Sequence, residues 1–354
     1  MIPVEVLRST KRHLLKSLWE VQKTLDEATD SQLRILYVAP HLSTGGMPQY
    51  LYKLIEIFNT QADVYCLEYS NISDEYVVQR NKIQKLLGSR YYRIDDHEDK
   101  SQFLQILDEI CPDIIHFQDF VEFFLDRKIC EHIYTYNRPW YIMETPHSSA
   151  NVPSDKYWLP DKLVMVNQWM SDKFSDCGIP TDVLEYPIEH FERKITRPEA
   201  QEILGLDPTK KHVINVGLFT SGKNQGELMA FAGRMLDLPV EFHFIGNTAV
   251  NFEEYWQPLI SNLPKNCRLW GERRDVEIFY QAADLFVFNS TWELNPIVIK
   301  ECLSWQLPIL MRRLTPYGDF YDDHHLVTYL EAGTSGLDFL TNLDRLENLL
   351  HSES

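Results

Sequence analysis

The chain has 354 residues, enough for two domains with cores of their own, and its 44% hydrophobic and 24% charged composition is that of a folded globular protein. Its 52 acidic and 34 basic side chains leave a formal charge of −18. That surplus argues against binding nucleic acid or an anionic membrane by bulk electrostatics, while leaving room for a local basic pocket around one phosphorylated ligand.

Residues 1–30 read as an N-terminal helical extension. Pro3 can open a helix, and Val4, Leu7, Lys11, Leu14, Leu18, Val21 and Leu25 follow a heptad seam broken once by Lys11. Three readings stand side by side: a helix packed on its own domain, a helix pairing two copies as a homodimer, or a membrane-surface helix, for which Arg8, Lys11, Arg12 and Lys16 are basic although the segment as a whole is charge-balanced. From residue 31 to 190, strand and helix patterns alternate. Strands are expected at Arg34–Ala39, Ala62–Leu67, Asp113–Phe117, Tyr141–Glu144 and Lys162–Val166, with helices such as Gln49–Phe58 and Lys100–Ile110 between them. The polar stretch Asp182–Pro198, with Pro187 and Pro198, is expected to be the linker. A second series fills 191–335, with strands at His212–Gly217, Val240–Gly246, Cys267–Gly271, Asp284–Asn289, Pro308–Arg312 and Leu326–Leu330. Its helices are expected at Asn224–Leu236, Phe252–Leu263, Asp275–Ala282 and Ile297–Trp305. Residues 336–354 should carry a last helix, Leu337–His351, which could return to pack on the N-terminal domain. The fold class is α/β, with two Rossmann-like doubly wound parallel sheets and a ligand cleft between them.

Six scattered cysteines make no Cys-x-x-Cys pair, which predicts reduced thiols and a cytoplasmic setting. No apolar run approaches the ~20 residues of a membrane helix, and the N-terminus lacks a signal-peptide core.

The most informative stretch is Asp284-Leu-Phe-Val-Phe-Asn-Ser-Thr-Trp-Glu-Leu-Asn-Pro-Ile-Val-Ile-Lys-Glu301. A buried strand ends at Ser290 and a loop carries Glu293. Asn295 is placed to cap a helix opened by Pro296. The free N–H groups at such a helix start suit a diphosphate. Glu301, further along the helix, could bridge two ribose hydroxyls, and Glu293 would point at whatever the diphosphate carries. The alternative is that Glu293 only favours the helix dipole and Glu301 is a solvated helix residue.

Glu293 and Glu301, spaced Glu-x7-Glu after a buried strand, resemble the donor-binding signature of glycosyltransferase family 4, retaining enzymes of the two-domain GT-B fold. The resemblance spans most of the chain. Leu36-Tyr-Val-Ala-Pro-His-Leu-Ser-Thr-Gly45-Gly46 is similar to the family's first strand and glycine-rich loop, and Asp161-Lys-Leu-Val-Met-Val-Asn-Gln-Trp-Met-Ser-Asp-Lys-Phe174 to its last N-domain strand and helix. Val213-Ile-Asn-Val-Gly217 followed by Lys223-Asn-Gln resembles the first C-domain strand and its phosphate-binding lysine. Phe244-Ile-Gly246, Leu269-Trp-Gly271 and Tyr280-Gln-Ala-Ala-Asp284 follow in the family's order. The resemblance implies catalytic roles for Glu293, His147 and Lys223. It places Gly45, Gly46, Gly217, Lys223, Gly271, Arg273, Ser290, Leu294, Asn295, Pro296 and Glu301 around a UDP- or GDP-sugar. Two departures stand out: Leu218 replaces the arginine expected after Gly217, leaving Arg273 or Arg274 as substitutes, and Leu294-Asn-Pro replaces a glycine-phenylalanine-glycine turn.

His41, His116 and His147 all fall at or just after N-domain strand ends, but they come from separate strands without the short spacing of a zinc site. No Asp-x-Asp pair occurs. No metal and no cofactor beyond the nucleotide-sugar co-substrate is therefore expected. The function these features imply is transfer of a sugar, with retained configuration, to a glycan or other soluble hydroxyl acceptor chosen by the loops Ser70–Asn81 and Ser148–Tyr157. A nucleotide-sugar epimerase of the same fold and a non-catalytic nucleotide-sugar-binding partner subunit are the alternatives. Nucleic acid and firm membrane association are not expected.

Overall fold

The computed structural model describes residues 32–43, 45–69, 78–95, 100–147, 156–188, 194–317, 320–333, 336–337 and 339–351. The expected N-terminal helix and its pairing seam lie outside the described residues, as do most of the two loops expected to choose the acceptor. The chain divides into two units between Pro187 and Ile188.

The first unit is built on seven strands: β1 Arg34–Ala39, β2 Asp63–Tyr69, β3 Tyr91–Ile94, β4 Ile114–Phe117, β5 Tyr141–Glu144, β6 Lys162–Met165 and β7 Thr181–Val183. All pair in parallel, in the order β3-β2-β1-β4-β5-β6-β7. Its helices are α1 Gly46–Phe58, α2 Val78–Leu87, α3 Lys100–Ile110, α4 Arg127–Ile133 and α5 Gln168–Lys173. Strands β3 and β7 carry no continuous apolar run, and only Ile94 of β3 is buried, so their pattern does not stand out from a loop. As sheet edges they need only one buried side. Helix α1 starts three residues earlier than its apolar periodicity indicates. Gly45 (φ 134°) supplies a backbone turn that other residues avoid, and Pro48 falls in the first turn, where a missing N–H costs nothing.

The second unit has six parallel strands: β8 Lys211–Val216, β9 Val240–Ile245, β10 Cys267–Gly271, β11 Leu285–Phe288, β12 Ile309–Met311 and β13 Val327–Tyr329, ordered β10-β9-β8-β11-β12-β13. A short hairpin, β14 Ala332–Gly333 and β15 Gly336–Leu337, follows. The helices are α6 Arg197–Leu204, α7 Gln225–Ala232, α8 Glu253–Ser261, α9 Val276–Ala282, α10 Ile297–Ser304 and α11 Phe339–His351. Side-chain alternation splits its core into two layers. Ile214, Phe286, Phe288, Ile309 and Met311 face one side, whereas Val213, Leu285, Val287 and Leu310 face the other.

Two expectations change here, and the last helix finds its packing. The linker is shorter than Asp182–Pro198, because Thr181–Val183 pairs with β6 and Thr196 opens α6 with a reciprocal capping box to Glu199, putting Pro198 inside the first turn. Helix α7 stops at Ala232 rather than Leu236, with Gly233 at its cap pressed against Pro264. The C-terminal helix α11 buries Leu346 and Leu350 with Val213, Leu285 and Leu310 of its own unit's sheet.

In each sheet the strand order reverses beside the first strand, between β1 and β4 and between β8 and β11. Ligand sites of doubly wound sheets form at such reversals, beyond the carboxyl ends of the strands.

Candidate active site

The reversal of the second unit gathers most of the residues singled out by sequence. β8 ends in Gly217, and the turn Thr220–Asn224 leads into α7. Backbone bonds from Lys223 N (3.1 Å) and Asn224 N (3.1 Å) to Thr220 O close this turn, with Asn224 in the left-handed conformation (φ 56°). The Lys223 stem lies over Gly217, where an added Cβ would sit 3.5 Å from its Cδ. Gly246, at the end of β9, has φ 154°, and a Cβ there would meet the Gly217 carbonyl oxygen at 1.9 Å. That position therefore admits only glycine.

From β11, Asn289 and Ser290 are buried and the chain turns over α7's entrance, where Thr291 N donates to Gly222 O (2.8 Å). This tie delivers Glu293 to Lys223. The two side chains, 16% and 28% exposed, form an ion pair. Glu301 lies in α10 and accepts a hydrogen bond from the phenol of buried Tyr280 (2.7 Å), so it is held in place rather than merely solvated. Both carboxylates of the Glu-x7-Glu spacing are thus fixed by partners outside their own segment.

The helix start departs from expectation. Pro296, not Asn295, is the N-cap of α10, and no side chain caps it. An N-cap contributes its carbonyl and not its N–H, so proline fits there, and the residue before a proline is driven to extended backbone. Leu294 is buried beside it. The first-turn N–H groups still begin the helix without a side-chain cap.

Arg273 does not reach Lys223's turn as a second cation. Its guanidinium makes two bonds to Asp275 (2.8 and 2.7 Å) and lies near the rings of Phe279 and Trp270, while Arg274 is exposed. Gly271 takes φ 66° at the end of β10, where its carbonyl accepts from Gly246 N. A cation that sequence reasoning passed over stands closer to Lys223's turn. Arg312, just past β12, bonds Asn289 and Glu227 of α7. The signal available was its position, a cation directly following an apolar strand core.

In the first unit, Gly45 caps α1 and Gly46 is its first residue, after β1 as their spacing indicated. The loop before them is pinned by a buried pair. Arg80 bonds Glu68 through Nε (2.6 Å) and Nη2 (2.8 Å), Glu68 accepts from Leu42 N (2.8 Å), and Arg80 N donates to Leu42 O (3.0 Å). The reversal also collects the three histidines. His116 Nε2 bonds Thr145 Oγ1 (2.7 Å), and His41 Nδ1 bonds Ser43 Oγ (2.8 Å). His147 Nε2 donates to the carbonyl oxygen of Gln118 (3.3 Å), which can only accept. Its Nδ1 therefore accepts from the Tyr186 hydroxyl (2.5 Å). Burial pushes His116 and His147 down to about 3, and His41 is lowered by the same cause. All three are neutral near pH 7. Asp119, also unforeseen, holds φ 130° and accepts from the backbone N–H groups of Phe120 and His147, and burial lifts its carboxyl to about 6.

Among the described residues, one group has the composition of a metal site: His212, Glu241 and His243, with ligand atoms within 4.8 Å of one another. Its hydrogen bonds assign it another role. Trp270 Nε1 donates to His243 Nδ1 (3.1 Å), so the His243 proton sits on Nε2 and donates to His212 Nδ1 (3.0 Å). His212 Nε2 then donates to Asp207 O (2.9 Å). A metal held by both rings would need a proton at His243 Nδ1, where the indole already points its own. Lys210 occupies Glu241 (2.6 Å).

Residues 196–330 match the family Glycosyl transferases group 1. The chain is 25% identical over 181 residues to the alpha-galactosylglucosyldiacylglycerol synthase of Streptococcus pneumoniae, which covers 48% of each protein. It is 28% identical over 154 residues to the processive diacylglycerol alpha-glucosyltransferase of Acholeplasma laidlawii, covering 42% of this chain and 44% of that one. The chain thus spans about half the length of the curated relatives it matches. The crystal structure of a glycosyltransferase from Rickettsia africae superposes with a TM-score of 0.68 at 15% identity, over 91% of this chain and 89% of that one. The fold is accordingly the α/β fold of GT-B glycosyltransferases, with two parallel-sheet units. Its second unit carries a Glycosyl transferases group 1 domain that contains Lys223, Glu293 and Glu301.

Proposed function

We propose that this chain is a retaining glycosyltransferase that moves a sugar from a nucleotide diphosphate, UDP or GDP, to an acceptor hydroxyl without a metal. The observation that carries the reading is the Lys223–Glu293 ion pair at the strand-order reversal of a group 1 domain. A diphosphate arriving there competes with Glu293 for Lys223, whose ammonium then neutralises the leaving group. The released Glu293 is free to take the hydroxyls of the transferred sugar. Glu301, oriented by Tyr280, suits the ribose hydroxyls, and the start of α10 offers N–H groups to the phosphates.

In a front-face reaction the acceptor oxygen bonds the anomeric carbon on the side the phosphate leaves. The departing phosphate oxygen takes the acceptor's proton, so the protein supplies position and charge rather than a base. His147 fits that division of labour as a neutral ring that takes no proton: to hold a sugar hydroxyl its Nε2 would exchange the long bond to Gln118 (3.3 Å) for that hydroxyl while Nδ1 keeps Tyr186. The neutral histidines of the first unit suit an uncharged hydroxyl acceptor.

The charge of −18 favours a soluble acceptor. A lipid acceptor is the second reading. It is favoured by the diacylglycerol named for both curated relatives and by exposed Phe123, Tyr157 and Leu159 on segments that follow β4 and β5.

A thermal-shift panel of nucleotide diphosphates and their sugars, followed by product analysis, tests the proposal. Expected are a shift with one base, slow donor hydrolysis insensitive to chelator, and its loss in Lys223→Ala and Glu293→Ala. Retained anomeric configuration in the product is expected, and inversion would exclude the front-face mechanism. Silence across the panel would favour a non-catalytic partner. Transfer to diacylglycerol vesicles but not to soluble sugars would favour the lipid acceptor.

A further inference from the structure

The position after Gly217 holds Leu218, and Arg273 is taken up by Asp275, so the charge and geometry around Lys223 must be set by something else. Arg312 stands at the end of β12, one strand removed from β8. Its Nη2 donates to Glu227 Oε2 (2.6 Å) and to Asn289 Oδ1 (2.9 Å), and its Nε reaches the same amide oxygen at 3.3 Å. Fully buried Asn289 turns its Nδ2 to Glu227 (2.9 Å) and to the main-chain oxygen of Asn224 (3.2 Å). Asn224 Nδ2 closes the ring on Glu227 (2.5 Å). Glu227 is the hub of this network, and the residue it reaches through two bonds is Asn224, the one that follows Lys223. Asn224 is also a left-handed non-glycine, a conformation that persists only where its surroundings impose it.

We infer that Arg312 is a positioning residue: through Asn289 and Glu227 it fixes the Asn224 turn and so keeps Lys223 aimed at Glu293 and, on the function proposed above, at the donor diphosphate. The guanidinium holds Asn289 from both Nε and Nη2 while Nη2 also reaches Glu227, whereas the ammonium of a lysine is a single point charge without that second donor. Arg312 also neutralises Glu227. Without it, that carboxylate offers Lys223 a competing partner four residues along the chain.

The test reads Lys223 directly. The full chain, without ligand, is treated with limiting acetic anhydride, and labelling of Lys223 is measured by mass spectrometry against Lys210, which is paired with Glu241. Arg312→Met and Arg312→Lys are each expected to change the Lys223 rate about threefold or more relative to Lys210. They are also expected to raise KM for the nucleotide sugar about tenfold, with a smaller change in kcat. A merely structural role would lower kcat through the folded fraction and leave KM unmoved. Unchanged labelling in both variants overturns the inference, as does wild-type behaviour of Arg312→Lys, which would mean that charge alone suffices. Should Arg312→Met fail to fold, Glu227→Gln removes the carboxylate that Arg312 holds. That breaks the same ring at its shared acceptor and must change the Lys223 rate about threefold or more relative to Lys210, and unchanged labelling there overturns the inference. Altered labelling in a protein that binds no nucleotide diphosphate would leave the positioning role standing and remove the donor reading instead.

Discussion

Lys223 and Glu293 lie 70 residues apart in the chain and are partners before any ligand arrives. Removing each one should therefore have a different signature. Glu293→Gln removes the competitor for Lys223, so binding of the sugar-free nucleotide diphosphate is expected to hold or tighten. Turnover should fall by about 10²- to 10³-fold, the usual loss when one electrostatic contact to the reacting group goes. Lys223→Met should lose both binding and turnover. Calorimetry with the diphosphate, set beside kinetics with the sugar, separates the two. Tyr317 makes a second case at this scale. Its hydroxyl oxygen is buried without a hydrogen-bond partner among the described residues, and burial together with the nearby Glu293 raises its pKa. An unsatisfied buried polar atom costs about 1–3 kcal/mol. Tyr317→Phe is thus expected to leave the unfolding midpoint unchanged or raise it, and a clear drop would show a partner for the phenol. Lys223, Glu293 and Glu301 were legible in the sequence because each sits beside a strong local pattern, a strand end or a helix start. Arg312, Asn289 and Asp119 were not. Arg312 takes its meaning from Glu227, 85 residues away, and from Asn289, 23 away.

At the level of elements, apolar runs located the central strands of both sheets, because a strand covered on both faces is written as a continuous apolar stretch. The edges of the first sheet were missed for the same reason: β3 and β7 need little apolar surface, so their composition matches that of loops. The cap of α10 was misplaced by one residue because Asn295 has the right side chain, whereas the backbone of Pro296 decides where the helix opens. The loop joining β1 to α1 shows what sequence could not supply. Its position depends on Glu68 in β2 and Arg80 in α2, both buried, whose pairing also holds the backbone of Leu42. Breaking such a pair from one side leaves an uncompensated charge in the interior. Arg80→Met is expected to destabilise the first unit by about 3 kcal/mol and to speed hydrogen exchange at Leu42. The double variant Arg80→Met with Glu68→Gln should recover part of that loss. If the double variant is no better than the single, the cost lies in packing rather than in the stranded carboxylate.

Across the whole molecule, buried groups titrate in opposing directions, and their sum sets how stability depends on pH. His116, His147 and His243 are each pushed down to about 3 by burial. Above the ordinary imidazole value of about 6.5 they are neutral in folded and unfolded chains alike. Below it only the unfolded chain takes the proton, so each costs ~1 kcal/mol per pH unit as pH falls toward 3. Glu144 and Asp119 are raised by burial, to about 7 and about 6. They take up protons first in the folded state, so their contribution grows as pH falls from about 7 toward the unfolded carboxylate range near 4. The two sets partly offset one another between about pH 6.5 and 4.5, where three imidazoles outweigh two carboxyls and leave a net loss of ~1 kcal/mol per pH unit. Below about 4 the carboxyls are protonated in both states and the imidazoles act alone. Glu68, held low by Arg80 and Tyr91 against its burial, then adds its own loss. The unfolding midpoint is therefore expected to decline gently from pH 6.5 to 4.5 and to drop steeply between 4.5 and 3. Asp119→Asn removes one offset while keeping an oxygen for the two backbone donors. In that variant the decline between pH 6 and 4 should steepen by ~1 kcal/mol per unit, read from denaturant unfolding at each pH. An unaltered slope in that window would mean that Asp119 does not hold its proton in the folded chain.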